Sequence, residues 1–117
     1  MRLREISYDS GLPVDGYGPG FFRIGGQVLK GATLVTATGA GPWGGLDDRA
    51  ALAGLAGTVD VLLVGTGERM RPLPVDLRAA LEGAGIGVEP MSSPAACRTY
   101  NVLLAEGRRV AAALLPV

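Results

Sequence analysis

The residues best suited to chemistry lie in the stretch SPAACRTYNVLL, residues 93–104. This stretch contains the only cysteine of the chain, Cys97. Four side chains that can form hydrogen bonds follow it directly: Arg98, Thr99, Tyr100 and Asn101. The helix dipole lowers the pKa of a cysteine near a helix start, and a neighbouring arginine adds to that effect. The pattern therefore indicates either a reactive thiol or a small buried cysteine that allows close packing.

The absence of histidine from the chain limits what Cys97 could do. Ser-His-Asp and Cys-His machinery cannot be built, nor can a zinc site with several His or Cys ligands. The acidic residues show no spacing typical of a metal site or a glycosidase pair. General acid–base chemistry would fall to carboxylates, tyrosines, Cys97 or the single lysine, Lys30. We therefore expect no metal, no catalytic residue and no cofactor; the sequence leaves enzymatic activity open but favours its absence.

A second candidate site is the turn Gly65-Thr66-Gly67, which follows the apolar run VLLV. As a dinucleotide-binding loop it departs from the motif, because Met70 stands where the third glycine is required. Open α/β sheets nevertheless bind ligands beyond the carboxyl ends of their strands. Free backbone N–H groups here and at the helix start, together with Arg98, could bind a small anionic ligand such as a phosphate or carboxylate. A small-molecule or anion-binding domain that uses Gly65–Gly67 and Ser93–Asn101 is therefore the alternative function.

Composition excludes several classes of protein. Of the 117 residues, 48% are hydrophobic and 19% charged, which predicts one folded domain over residues 1–117. Eleven basic residues balance eleven acidic ones, so we expect no nucleic-acid partner. No apolar run approaches the roughly 20 residues that a membrane span needs. One cysteine permits no internal disulfide, and no presequence is visible, so we expect a bacterial-type protein of the cytoplasm.

The second half of the chain alternates between strand and helix patterns. DVLLVGTG predicts a strand buried on both faces, PLPVDLRAALEGAG a helix and IGVEPM a short strand. Ser93 is the expected N-cap of the next helix, with Pro94 at its first position and Gly107 as its stop. RRVAAALLPV predicts the last strand. This order favours right-handed crossovers and a partly parallel sheet.

The first half predicts antiparallel material. We expect a strand over Leu3–Tyr8, a loop over residues 10–20, and a tight hairpin of FFRI and QVLK around Gly25-Gly26. ATLVTAT predicts another strand, and TGAGPWGG a loop. The tryptophan in that loop, Trp43, is either a core side chain or an exposed partner contact. LDDRAALAGLAG predicts a helix capped by Asp47 or Asp48 and ended by Gly57.

The order of these pieces resembles a small single-domain family of unknown biochemical function, which includes the mitochondrial complex I assembly factor 3 and an adipogenesis-associated cytosolic protein. The resemblance covers nearly the whole chain, and its most specific part is the string Ala-Cys-Arg-Thr-Tyr-Asn with the later Glu-Gly-Arg. The chain departs from the family before the last helix, where the family often has an acidic residue and threonine. Ser92, Ser93 and Pro94 stand there instead.

The resemblance implies a three-layer α/β fold, with a central mixed β-sheet, helices on one side and a β-hairpin layer on the other. It also implies protein contacts in the assembly of respiratory NADH dehydrogenase, and it supplies no catalytic residues. We therefore expect a non-catalytic protein-interaction domain with a protein partner. The expected ligand or partner contacts are Trp43, Gly65, Thr66, Gly67, Cys97, Arg98, Thr99, Tyr100 and Asn101.

Overall fold

The computed structural model describes residues 12–117, so the strand expected over Leu3–Tyr8 lies outside the described residues. The strands are β1 (Val14–Gly18), β2 (Phe21–Ile24), β3 (Gln27–Lys30), β4 (Thr33–Val35), β5 (Ala40–Pro42), β6 (Val61–Thr66), β7 (Gly87–Met91) and β8 (Val110–Leu115). The helices are α1 (Arg49–Ala53), α2 (Val75–Gly83) and α3 (Ser93–Ala105).

Within this part of the chain, the strands form two sheets. The larger one has the order β5-β4-β8-β6-β7; β6 runs parallel to β7 and β8, whereas β4 runs antiparallel to β8 and β5. The smaller one is antiparallel, with the order β1-β2-β3. The expected mixed central sheet with an added hairpin layer is therefore confirmed.

The helices lie on both faces of the central sheet, whereas the expected arrangement had them on one side. α1 and α2 pack against Leu62 and Val64 of β6. α3 packs against the opposite face, which includes Leu63, in a cluster that also contains residues of β1 and β2. The reason lies in the strand order: β7 and β8 flank β6 on opposite sides. Right-handed crossovers that run in opposite directions across a sheet place their helices on opposite faces.

Two segments expected to be loops contain strands. Residues 10–20 include β1, and residues 38–45 include β5. Their glycines and prolines favour turns locally, but pairing with β2 and β4 determines the backbone conformation instead. Pro42 is tolerated because β5 lies at an edge of its sheet. The expected hairpin is confirmed: Gly25 and Gly26 connect β2 to β3 with φ values of 57° and 83°.

The first helix is shorter than its sequence pattern predicts. α1 ends at Ala53, and turns continue to Thr58. Asp48 occupies the N-cap position, but its side chain makes no cap hydrogen bond. Its Oδ2 instead accepts the N–H of Gly44 at 3.1 Å. The acidic residue thus stabilises the preceding glycine-rich loop rather than the helix.

Strand β7 lies at the other edge of the central sheet and carries two features that oppose further strand pairing. Nη2 of Arg78, in α2, donates a hydrogen bond to the Val88 carbonyl at 3.1 Å. Pro90 has no N–H to offer a neighbouring strand. A covered carbonyl and an edge proline are both common means of protecting a sheet edge.

Candidate functional site

The turn after β6 and the start of α3 are held together by Ser93. The hydroxyl of Ser93 accepts the N–H of Gly67 at 2.8 Å and donates to the Leu115 carbonyl at 2.5 Å. The N–H of Ser93 donates in turn to the Gly67 carbonyl at 2.7 Å. Ser93 is fully buried, so this side chain joins β6, β8 and α3 at the carboxyl end of the sheet.

Ser93 is therefore not the N-cap that the sequence predicts. Ser92 is the N-cap, and its hydroxyl accepts the N–H of Ala95 at 3.3 Å. Pro94 is accordingly the second helical residue rather than the first. Either of two consecutive serines can cap a helix. The Ser93 hydroxyl is instead bonded to backbone groups of Gly67 and Leu115, so Ser92 becomes the cap.

Gly65 lets the helix start approach β6 closely. A Cβ atom added at Gly65 would lie 2.8 Å from Oγ of Ser93, 2.9 Å from its Cα and 3.0 Å from Cδ2 of Leu114. Ordinary carbon contacts are no closer than about 3.5 Å, so a side chain does not fit. The glycine of this turn is explained by packing of the helix against the strand.

Thr66 organises the loop that follows the turn. Its Oγ1 accepts the N–H of Arg71 at 2.9 Å and lies 2.7 Å from the Arg69 carbonyl and 3.2 Å from the Met91 carbonyl. The single hydroxyl proton can satisfy either carbonyl or be shared between them. Thr66 is buried, so its hydroxyl stabilises the loop internally.

The backbone N–H groups expected to bind an anion already donate hydrogen bonds within the protein. The N–H of Gly67 binds Ser93, and the N–H of Ser93 binds Gly67. Pro94 has no N–H, while Ala95 and Ala96 donate to the side chain and the carbonyl of Ser92. These five positions therefore offer no free N–H group to a ligand.

Cys97 lies in the core rather than in a cleft. It is 4% exposed and belongs to the cluster that includes Ala96 and Tyr100. Burial raises the pKa of the Cys97 thiol to about 11, and the positive charge of Arg98 offsets this only in part. Of the two interpretations of Cys97, the structure agrees with the small buried cysteine, because desolvation of a thiolate outweighs the nearby positive charge.

Tyr100 and Asn101 hold the small sheet against α3. The Tyr100 hydroxyl donates to the Leu12 carbonyl at 2.9 Å. The Asn101 carboxamide forms two bonds with Val14, one from the Val14 N–H to Oδ1 and one from Nδ2 to the Val14 carbonyl, both 2.8 Å. It pairs with the edge of β1 as a neighbouring strand would. Burial raises the pKa of the Tyr100 hydroxyl, so it stays protonated at neutral pH and can donate this bond.

Arg98 and Thr99 lie on the outer side of α3. Arg98 is exposed and Thr99 is half-buried. Neither side chain forms a hydrogen bond or ion pair with any residue between 12 and 117. They are the two polar residues of the string whose side chains have no internal structural role in this range.

Trp43 is a core residue, which decides between its two interpretations. It is 5% exposed and packs in the cluster with Leu52 and Leu77. Its backbone N–H donates to the Ala32 carbonyl at 3.0 Å. Nε1 is a buried donor without a partner in the described part of the chain. Trp43 therefore offers no exposed ring for a partner.

Sequence reasoning missed the partners of these polar side chains. Leu12 and Val14 lie 88 and 87 residues before Tyr100 and Asn101, and they contribute only backbone groups. A backbone group carries no residue-type signal. The one available indication was an asparagine within a largely covered helix, since such a residue needs hydrogen-bond partners.

The described residues contain no group of three or more His, Cys, Asp or Glu side chains arranged to hold a metal ion. No helix between residues 12 and 117 is long and apolar enough to cross a membrane. The cytoplasmic location stays a prediction.

Comparison with known proteins places these features in context. Residues 14–115 match a family described as "Protein of unknown function (DUF498/DUF598)". An uncharacterized protein of Rhodobacter capsulatus is 56% identical over 117 residues, which are 100% of this chain and 94% of that protein. The NADH dehydrogenase [ubiquinone] 1 alpha subcomplex assembly factor 3 of Danio rerio is 31% identical over 123 residues, covering 99% of this chain and 71% of that protein.

Solved structures share the fold. An outer membrane protein from Bartonella henselae superimposes with a TM-score of 0.81 at 36% identity, covering 90% of this chain and 94% of that one. A Mth938-like domain from Bordetella pertussis gives a TM-score of 0.77 at 31% identity, covering 92% of this chain and 87% of that one. The three-layer α/β architecture is therefore common to this chain and these bacterial proteins.

Proposed function

This chain belongs to the DUF498/DUF598 family of proteins of unknown function, and on that premise we propose that it is a non-catalytic protein-interaction domain. Its task is assembly of a respiratory NADH dehydrogenase, as the name of the Danio rerio relative suggests. Its partner is a protein, either a subunit of that enzyme or another assembly factor.

One observation supports the non-catalytic part of this proposal: the side chains best suited to chemistry are hydrogen-bonded or buried inside the fold. Ser93 and Thr66 bind backbone groups at the end of β6. Tyr100 and Asn101 bind the segment that leads into β1. The Cys97 thiol is buried with a raised pKa. These groups stabilise the fold, and none of these five side chains is an activated nucleophile or base.

Deletion of the gene in its native host tests the assembly role. We expect native gels to show less assembled NADH dehydrogenase and an accumulation of smaller subassemblies. Succinate dehydrogenase on the same gels is the control, since a general respiratory defect would lower both. Unchanged NADH dehydrogenase assembly in the deletion strain would remove the proposal.

Complementation tests the absence of catalysis. A Cys97→Ala chain loses the thiol while keeping a small apolar side chain at that position. We expect it to restore assembly as well as the unaltered chain does. Failure of a stably folded Cys97→Ala protein to complement would mean that the thiol itself acts.

An anion site at Gly65–Gly67 and Ser93–Asn101 is the second candidate. The exposed Arg98, which has no ion-pair partner between residues 12 and 117, supports it. The engaged donors at Gly67 and Ser93 argue against it. A thermal-shift panel of phosphates, nucleotides and carboxylates separates the two proposals: a flat response supports the interaction domain, and a stabilisation lost in Arg98→Ala supports the anion site.

A further inference from the structure

The small sheet presents one face to solvent. Its inner face, which includes Phe22 and Ile24, packs in the cluster that α3 shares. The opposite side chains are half-buried or exposed. We call this opposite surface the outer face; its residues are Gly16, Gly18, Phe21, Arg23, Val28 and Lys30.

Strand register arranges these residues in two rows. Gly18, Phe21 and Lys30 stand opposite one another in the first row. Gly16, Arg23 and Val28 form the second row. Because facing side chains in a sheet are about 5 Å apart, each apolar side chain lies beside a basic one. Phe21 neighbours Lys30, and Val28 neighbours Arg23.

The two glycines keep the outer face flat at β1. The Phe21 ring lies over Gly18, where an added Cβ would be 2.5 Å from Cε2 of the ring. At Gly16 an added Cβ would meet nothing within 4 Å. A partner can therefore approach the backbone of β1 closely at Gly16 while contacting the Phe21 ring and the Val28 side chain.

The charged side chains of the outer face are both basic. Arg23 and Lys30 are exposed, and neither forms an ion pair with any residue in 12–117. Neither row contains an acidic residue. The nearby carboxylate of Asp15 accepts the Gly26 N–H at 2.7 Å and so is directed to the hairpin turn. Although the whole chain has net charge zero, this surface is basic.

The layer is also held in place before any partner arrives. Asn101 and Tyr100 bind its first strand and the residues that lead into it. The N–H of Gly20, between β1 and β2, donates to the Val117 carbonyl at 3.1 Å. A surface that is already ordered loses less conformational entropy on binding than a flexible loop does.

From these observations we propose that the outer face is the docking surface for the protein partner, and that the partner supplies an acidic amphipathic segment. Its apolar side chains cover Phe21 and Val28, and its carboxylates pair with Arg23 and Lys30. This inference rests on the proposed interaction function and specifies the partner's chemistry. An exposed valine and a half-buried phenylalanine bordered by charges of one sign favour such a complement over a neutral or basic one.

The first experiment maps binding by NMR on the full, isotope-labelled chain. The probe is a synthetic amphipathic helical peptide of Leu and Glu; its counterpart with Lys in place of Glu is the charge control. We expect the acidic peptide to shift the amide signals of the outer face and the basic peptide to leave them unchanged. Equal binding of both peptides, or shifts confined to other surfaces, would overturn the proposal.

A matched pair of variants tests the location. Val28 is 50% exposed on the outer face, and Val102 is 56% exposed on α3. Val28→Glu should weaken binding of the acidic peptide by about tenfold or more, because it places like charges together, whereas Val102→Glu should bind unchanged. If Val28→Glu disturbs the sheet, Lys30→Ala takes its place, with a weaker and less salt-sensitive affinity expected. Unaltered affinity in folded Val28→Glu or in folded Lys30→Ala contradicts the docking surface.

Two further probes separate other classes of ligand. A single-stranded oligonucleotide and anionic phospholipid vesicles would also be attracted by Arg23 and Lys30. Tighter binding of either probe than of the acidic peptide, with the same outer-face signals affected, would replace the protein segment by that ligand and so overturn the proposal.

Assembly in the host distinguishes this inference from the proposed function. If deletion blocks NADH dehydrogenase assembly and folded Val28→Glu restores it fully, the function stands and the outer face is not the docking surface. If deletion leaves assembly normal, the assembly role fails whatever the peptide experiments show. Failure of Val28→Glu to restore assembly, with Val102→Glu restoring it, supports both.

Discussion

The Asn101 carboxamide and the Val14 backbone form a two-bond pair across 87 residues of sequence, with both N···O distances at 2.8 Å. Asn101→Ala removes both bonds and leaves a part-buried N–H and C=O without partners. We expect a loss of about 2 kcal/mol or more in the free energy of unfolding, measured by urea denaturation. Thr99→Ala, on the same helix, is the control and should change it by less than about 0.5 kcal/mol. Equal effects of the two substitutions would contradict this role for Asn101.

The two serines at the start of α3 should differ in their effect on stability. Ser93→Ala leaves the buried Gly67 N–H and the Leu115 carbonyl unpaired, so we expect a loss of about 2–4 kcal/mol. Ser92→Ala removes a helix cap and should cost about 1 kcal/mol. Thermal and urea unfolding of both variants measure this order. A larger loss for Ser92→Ala than for Ser93→Ala would contradict the stabilising role assigned to the buried Ser93 hydroxyl.

Two glycines offer a matched test of close packing. Gly65→Ala forces a carbon against the Ser93 backbone and the Leu114 side chain, so we expect a loss of about 1–3 kcal/mol. Gly16→Ala places its methyl group in open space and should be neutral or slightly stabilising. Neither glycine has a positive φ, so the comparison isolates contact from backbone strain. Similar unfolding midpoints for the two variants would argue against steric exclusion at Gly65.

Burial of Cys97 predicts slow thiol chemistry. With a pKa of about 11, the folded chain holds almost no thiolate at pH 8, so iodoacetamide should react more slowly than with an unfolded peptide thiol. Urea should restore the ordinary rate. A folded-state rate equal to or above that of a free thiol would show that Cys97 is accessible and activated.

The same raised pKa makes the free energy of unfolding depend on pH in the alkaline range. Below the unfolded-state value of 9.0, the thiol is neutral in both states and its burial carries no charge penalty. Between pH 9 and about 11 the unfolded chain ionises while the folded chain does not, so the free energy of unfolding should fall by about 1.4 kcal/mol per pH unit. Cys97→Ala should remove this component of the slope. An unchanged slope in that variant would contradict the assignment.

The second half of the fold could be predicted because local and tertiary preferences agree there. The run VLLV predicts a buried strand whatever its neighbours, and β6 is buried on both faces. The first half could not, because β1 and β5 contain Gly16, Gly18 and Pro42, which favour turns until partner strands are present. The direction of each crossover, and with it the face that α3 covers, depends on strand order, which no local pattern encodes.

The ligand or partner role of the candidate site stays a prediction, while the structure shows what its side chains bind. The turn at Gly65–Gly67 meets the start of α3, because the Gly67 N–H binds the Ser93 hydroxyl. Tyr100 and Asn101 lie farther along the helix and bind Leu12 and Val14 instead. Their roles depend on distant backbone groups, and a side-chain pattern cannot reveal which carbonyl a tyrosine will reach. Cys97 is the clearest case: its position near a helix start leaves a reactive thiol open, and burial by surrounding elements, which no local pattern encodes, raises the pKa of the thiol.

The protected edge at β7 has a consequence for growth of larger structures. With its Val88 carbonyl held by Arg78 and a proline two residues later, β7 is a poor template for a further strand. Copies of the chain at high concentration therefore have little tendency to join into a continuous ribbon of strands through this edge.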